Sequence, residues 1–176
     1  MTKHALLTMT ALGITLLTAL PTQAQNAATI RLTGRVKAGT CTPSNPTITL
    51  PEMSAKDMLT NGRIAASNTP LTLQLTGCAG VTRADLTFGT TADRDTDTTT
   101  VFKNKATAAA PHTAIWLGHT SCTATGNDIT PGATRAVTVS SASQSVPLCA
   151  AYFKKSTGSI TAGDISTTFN VSITYF

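Results

Sequence analysis

Apolar and polar positions alternate with a period of two along most of this chain. Ile30, Leu32 and Val36 alternate around Gly34, Ile48 and Leu50 follow, and Leu71, Leu73 and Leu75 take every second place between Pro70 and Gly77. Leu86 with Phe88, Ile115 with Leu117, Val137 with Val139, and the run Val146, Leu148, Ala150, Tyr152 continue the pattern. Successive strand residues point to opposite faces, so each run is a strand with one apolar face. Gly, Asn, Asp and Pro cluster between the runs, and short strands separated by turn residues predict an all-β sandwich. Two stretches break the alternation. Glu52 to Asn61 suits a helical turn, and the Thr- and Ala-rich stretch from Ala92 to Ala110 is expected to be a long exposed loop.

The most regular pattern closes the chain. From Ile165 the odd positions run Ile165, Thr167, Phe169, Val171, Ile173 and Tyr175, against Ser, Thr and Asn at the even ones. A terminus patterned to its penultimate residue is expected to be docked, because free ends fray.

Composition agrees with the pattern. About one residue in five is Thr, whose branched β-carbon suits a pleated surface. The 176 residues, only 12% of them charged, fit one ordinary domain. Thirteen Lys and Arg face eight Asp and Glu, a thin surplus without basic runs interleaved with aromatics, so no nucleic-acid partner is expected.

The first 24 residues are read as a signal peptide. Lys3 and His4 open it, Ala5 to Leu20 is apolar and uncharged, and Pro21-Thr22-Gln23-Ala24 ends on a small residue. Those 16 apolar residues are short of the roughly 20 that span a bilayer. Export to an oxidising compartment then makes the four cysteines a disulfide set with three conceivable pairings. Cys41 with Cys78 and Cys122 with Cys149 is preferred, because sequential pairing closes modest loops between neighbouring strands. Cys149 falls on the face opposite Val146, Leu148, Ala150 and Tyr152, so its bridge is read as a surface staple. Trp116, between Ile115 and Leu117, is likewise expected to point outward.

Catalytic and metal chemistry find little support. There is no Gly-x-Ser-x-Gly, no His-Glu-x-x-His and no Cys-x-x-Cys, and His112 and His119 are the only histidines after the leader. Asp93, Asp95 and Asp97 lack the Gly and closing Glu of a calcium loop and are read as a solvated acidic stretch. No enzyme activity, cofactor or metal is expected.

Several fragments in order give the chain a family resemblance. They are Gly34-Arg35-Val36 leading to Cys41, Ile48 to Pro51, Leu73 to Cys78, Leu86 to Gly89, and Thr161-Ala162-Gly163-Asp164 before the alternating strand to Tyr175. In these the chain resembles the pilin subunits of chaperone-usher (type 1-like) fimbriae. The resemblance implies an immunoglobulin-like β-sandwich that lacks its last strand and is completed by donor-strand complementation. It implies a pilin domain at residues 41–176 behind an N-terminal donor-strand extension at 25–40. Ala28, Ile30, Leu32, Gly34 and Val36 would be the donor positions, with Gly34 entering a shallow pocket of the neighbouring subunit. Gly163, Phe169, Val171, Ile173 and Tyr175 would form the groove and chaperone-docking edge. The implied partners are neighbouring pilin subunits, a periplasmic chaperone and an outer-membrane usher, with a host-surface receptor as a further candidate. The second cysteine pair departs from the commoner one-bridge pattern. The alternative to a fimbrial subunit is a freestanding secreted β-sandwich adhesin or binding module.

Overall fold

The computed structural model describes residues 31–37 and 39–176. The expected signal peptide, and Ala28 and Ile30 of the expected donor strand, lie outside the described residues. Contacts divide the chain into two units, Met1–Arg35 and Val36–Phe176, and the strands all belong to the second.

Among the described residues nine strands form two antiparallel sheets: β1 (Thr42–Pro43), β2 (Gly62–Arg63), β3 (Thr69–Thr76), β4 (Arg83–Phe88), β5 (Phe102–Lys103), β6 (Thr113–His119), β7 (Thr134–Thr138), β8 (Ser143–Lys154) and β9 (Val171–Tyr175). The larger sheet runs β1-β3-β8-β6-β5 with β2 added against β8, and the smaller runs β7-β4-β9. Alternation explains how they face each other. Leu73 and Leu75 of β3, Leu117 of β6 and Leu148 of β8 meet Leu86 and Phe88 of β4 in one buried cluster. Burying each such side chain contributes about 1.5 to 3 kcal/mol, and the even spacing of these residues puts the gain on one face of each sheet.

Both expected disulfides are present. Cys41–Cys78 has a Cα separation of 4.3 Å and ties the start of the domain to the end of β3. Cys122–Cys149 has a Cα separation of 5.2 Å. The second is not a surface staple: Cys149 does lie on the outer face of its sheet but is fully buried. Trp116 is also on that outer face, yet only 4% exposed. A second apolar cluster forms there, with Trp116 and Ala114 of β6 against Cys149 and Ala151 of β8, roofed by the loop that Cys122 anchors. The Trp116 ring lies over Gly118, where a Cβ would stand 2.2 Å from it. Its indole N–H donates to Asp128, and the Arg63 guanidinium stacks 4.2 Å from its ring centre.

This burial changes what bridge loss should do. The sequence separations of 37 and 27 residues differ too little to rank the two bridges, since loop entropy gives about 3 to 4 kcal/mol for either. Cys149→Ser is therefore expected to lower the protein's melting temperature about as much as Cys78→Ser, because Cys78 and Cys149 are both buried in apolar clusters and each substitution leaves a hydroxyl there. Thermal unfolding of the two variants checks this.

Four further expectations are corrected or refined. Ile48 to Leu50 keeps its alternation but forms no strand: among the described residues no backbone hydrogen bond is made by residues 45–51. The stretch from Ala92 to Ala110 is not wholly exposed, since Val101, Phe102 and Ala110 are buried and Phe102 forms an edge strand against Ile115. Its acidic residues are paired rather than merely solvated: Lys155 Nζ stands 2.7 Å from Asp95 and 3.2 Å from Asp97, and Lys105 Nζ 2.6 Å from Asp93. Between Glu52 and Asn61 the expected helical turn is present as a single 3-10 turn, Ala55–Asp57.

Candidate functional site

Among the described residues the core opens along one side. There a groove of about 810 Å³ runs between residues 43–50 and residues 165–173. Its floor is made by Leu71, Leu73, Phe88, Ile115, Leu117 and Leu148. Ile48 and Leu50 form one wall, and Ile165, Thr167, Phe169, Val171 and Ile173 the other. Several of these side chains, including Ile48, Leu71, Ile115, Phe169, Val171 and Ile173, pack on the buried cluster yet are themselves only partly buried.

The groove carries Ser, Thr and Asn side chains but no charge, and its walls add unpaired backbone. None of its lining residues is Asp, Glu, Lys, Arg or His. Tyr152 supplies the single phenol of the lining, and burial pushes its ionisation up. The first wall leaves residues 45–51 without backbone hydrogen bonds among the described residues. On the second wall, every backbone hydrogen bond from 164 to 170 is made by an even-numbered residue, while Ile165, Thr167 and Phe169 make none. Backbone groups of alternate residues in an extended chain point to opposite edges. Both walls thus present unpaired N–H and C=O groups, the surface to which an added strand binds.

The residues singled out from the sequence fall in different places. Phe169, Val171 and Ile173 line the groove. Tyr175 sits beyond its end, where the phenol donates to the Cys41 carbonyl at 2.9 Å and joins β9 to the start of the domain. Gly163 also lies outside the lining; a Cβ there would stand 2.6 Å from the Ala110 amide, so it marks a close backbone crossing. Leu32 and Val36 are 90% and 98% exposed, and a Cβ at Gly34 would meet no atom of the described residues within 4 Å. Alternation alone missed the contribution of Ile115 and Tyr152 to the groove and the role of Asn104 and Lys105 behind its wall. The first two carry an apolar-face signal, whereas the second two are polar residues in an unpatterned stretch.

A sandwich of two antiparallel sheets, open along one side and lacking a strand there, defines an immunoglobulin-like domain with an incomplete core. Solved structures share this architecture. A chain from a chaperone-usher pilus, studied for the uncoiling of its rod, superposes with a TM-score of 0.61 at 18% identity, over 89% of this chain and 100% of that one. The P pilus rod subunit PapA gives 0.60 at 18% identity, over 78% of this chain and 100% of its own. The CupB6 tip adhesin of Pseudomonas aeruginosa gives 0.59 at 18%, over 78% of this chain and 38% of that longer one. The laminin-binding fimbrial subunit ElfA of Escherichia coli O157:H7 is 26% identical over 159 residues, covering 84% of this chain and 83% of ElfA. The family model for fimbrial proteins matches residues 30–175, and the chain belongs to that family. It is a structural pilin, a subunit of a surface fimbria.

Proposed function

We propose that this subunit assembles by donor-strand exchange: its groove accepts an extended segment from the next subunit, and its own residues 25–40 fill the groove of another. The observation that carries this is the pair of unpaired backbone edges facing each other across an uncharged apolar groove of about 810 Å³. Such a groove suits a strand whose alternate side chains are apolar. The extension has that form, with Ala28, Ile30, Leu32, Gly34 and Val36 at spacing two.

The pathway follows from the same exposed surface. An open apolar groove is an aggregation hazard in transit, so the reading includes a periplasmic chaperone that lends a strand and an outer-membrane usher at which the exchange occurs. Residues 1–24 serve as the export signal, residues 41–176 as the pilin domain, and the role is structural, without catalysis. Coexpression with a chaperone and usher of this class, followed by electron microscopy of the cell surface, tests the proposal. Fibres containing this chain support it; a stable soluble monomer purified without any chaperone points to a freestanding sandwich.

A further inference from the structure

We propose that Asn104 and Lys105 are positioning residues for the groove, holding wall residues 164–168 where a neighbouring strand would otherwise stand and thereby setting the edge that an incoming strand meets. This rests on the strand-accepting reading of the groove.

The wall is one extended segment held in two different ways. Its lower half, β9, is paired along its length with β4. That ladder ends where β4 ends, and the Gly89 amide bonding to the Asn170 carbonyl at 2.8 Å is its last rung. Upstream, the Asn104 amide takes over. Its Nδ2 donates to the Asp164 carbonyl at 2.8 Å, and its Oδ1 accepts from the Ser166 amide at 3.1 Å. Lys105 continues the sequence: its backbone N–H donates to the Ser166 carbonyl at 2.7 Å, and its ammonium donates to the Thr168 carbonyl. Asp164, Ser166 and Thr168 are the alternate residues a paired strand would engage. One amide side chain, one backbone N–H and one ammonium therefore imitate a short stretch of ladder.

The supports of this clasp are themselves fixed. Asn104 also bonds Thr113 Oγ1 and the Ala106 amide, each at 3.0 Å, which uses both donors and the acceptor in one orientation. The Lys105 ammonium is held by Asp93, whose carboxylate accepts from the Thr90 N–H at 2.7 Å beside the end of β4. These contacts, the Lys105 hydrogen bond most, hold the Asp93 carboxyl below the usual carboxylate range, so it stays ionised as the counter-ion. A second support exists at Asp164 alone, which bridges to Ala108 and Ala110 at 2.8 and 2.9 Å. With the even residues occupied on this side, Ile165, Thr167 and Phe169 are left to present their backbone groups to the groove.

Without the clasp, an arriving strand would have to order the wall as it binds, which weakens binding without altering the groove's apolar lining. The test uses the mature subunit in its chaperone complex, with a synthetic peptide of residues 25–40 as the incoming strand. Asn104→Ala and Lys105→Met are each expected to reduce the affinity for the peptide about tenfold, the value of one to two hydrogen bonds. Amide exchange should quicken at 164–170 and stay unchanged at 171–176, and Lys105→Arg should restore much of the binding. Lys105→Met leaves the core intact and carries the test alone should Asn104→Ala yield no complex. Unchanged affinity in Lys105→Met, or exchange quickened equally over the whole domain, would overturn the proposal. Failure of the wild-type complex to take up the peptide would instead remove the strand-accepting reading on which the proposal rests.

Discussion

Gly34→Leu is expected to leave the subunit folded with its chaperone and to abolish fibre growth. Among the described residues a Cβ at Gly34 meets no atom within 4 Å, so a larger side chain has room there. In the donor-strand exchange proposed above, the same side chain would have to enter a neighbour's groove at a position that takes only hydrogen. Overpacking a tight site costs typically about 1 to 3 kcal/mol, roughly a five- to hundredfold loss in affinity at each junction. Repetition along a fibre turns that into short or missing fibres and accumulated chaperone complexes, measured by electron microscopy and by quantifying the complexes. Leu32→Asp should act in the same direction by carrying an unpaired charge into an uncharged groove. Loss of the chaperone-bound monomer in either variant would mean that the segment belongs to its own core.

Deleting residues 171–176 should have the second largest effect, and an earlier one. It removes β9, one of three strands in the smaller sheet, and with it the Val171 and Ile173 wall of the groove. It also removes the contact from the Tyr175 phenol to the Cys41 carbonyl and the Phe176 backbone bonds to Thr82 and Arg83. Leu86 and Phe88 would lose their cover on that side. Export across the inner membrane should be unaffected, while the periplasmic chaperone complex should fall below detection by copurification. Normal fibres from the truncated chain would refute the assignment of this wall.

The two deletions of function differ because the sequence encodes the two segments differently. Residues 165–175 alternate around a core to which they belong, so period two sufficed to place Phe169, Val171 and Ile173 on the groove side. Residues 48–50 alternate equally well but have no strand beside them, and alternation reports a face, not a partner. That is why a strand was expected there and only an extended wall was found. Val101 and Phe102 are two apolar residues inside a polar stretch, too few for any period, yet Phe102 stacks on Phe169 with ring centres 4.2 Å apart. The outer cluster was missed for a related reason. By alternation the face opposite the main core reads as solvent-facing, although Trp116, Gly118 and Cys149 all lie on it and a loop anchored by Cys122 covers them. A large ring two residues before a glycine, opposite a cysteine, was the available signal. The clasp of Asn104 and Lys105 had none, since hydrogen bonds to a distant backbone leave no mark on local periodicity.

The central claim is that residues 25–40 of one subunit occupy the groove of another. A photo-crosslinking amino acid at Leu32, in fibres grown from an equal mixture of isotopically light and heavy subunits, tests it most directly. Irradiation followed by peptide mapping should give crosslinks from Leu32 to the groove walls near Ile48, Phe169, Val171 or Ile173, with light-to-heavy pairs as frequent as random mixing of subunits predicts. Crosslinks that join only light to light and heavy to heavy would place the segment in the groove of its own chain and contradict donor-strand exchange.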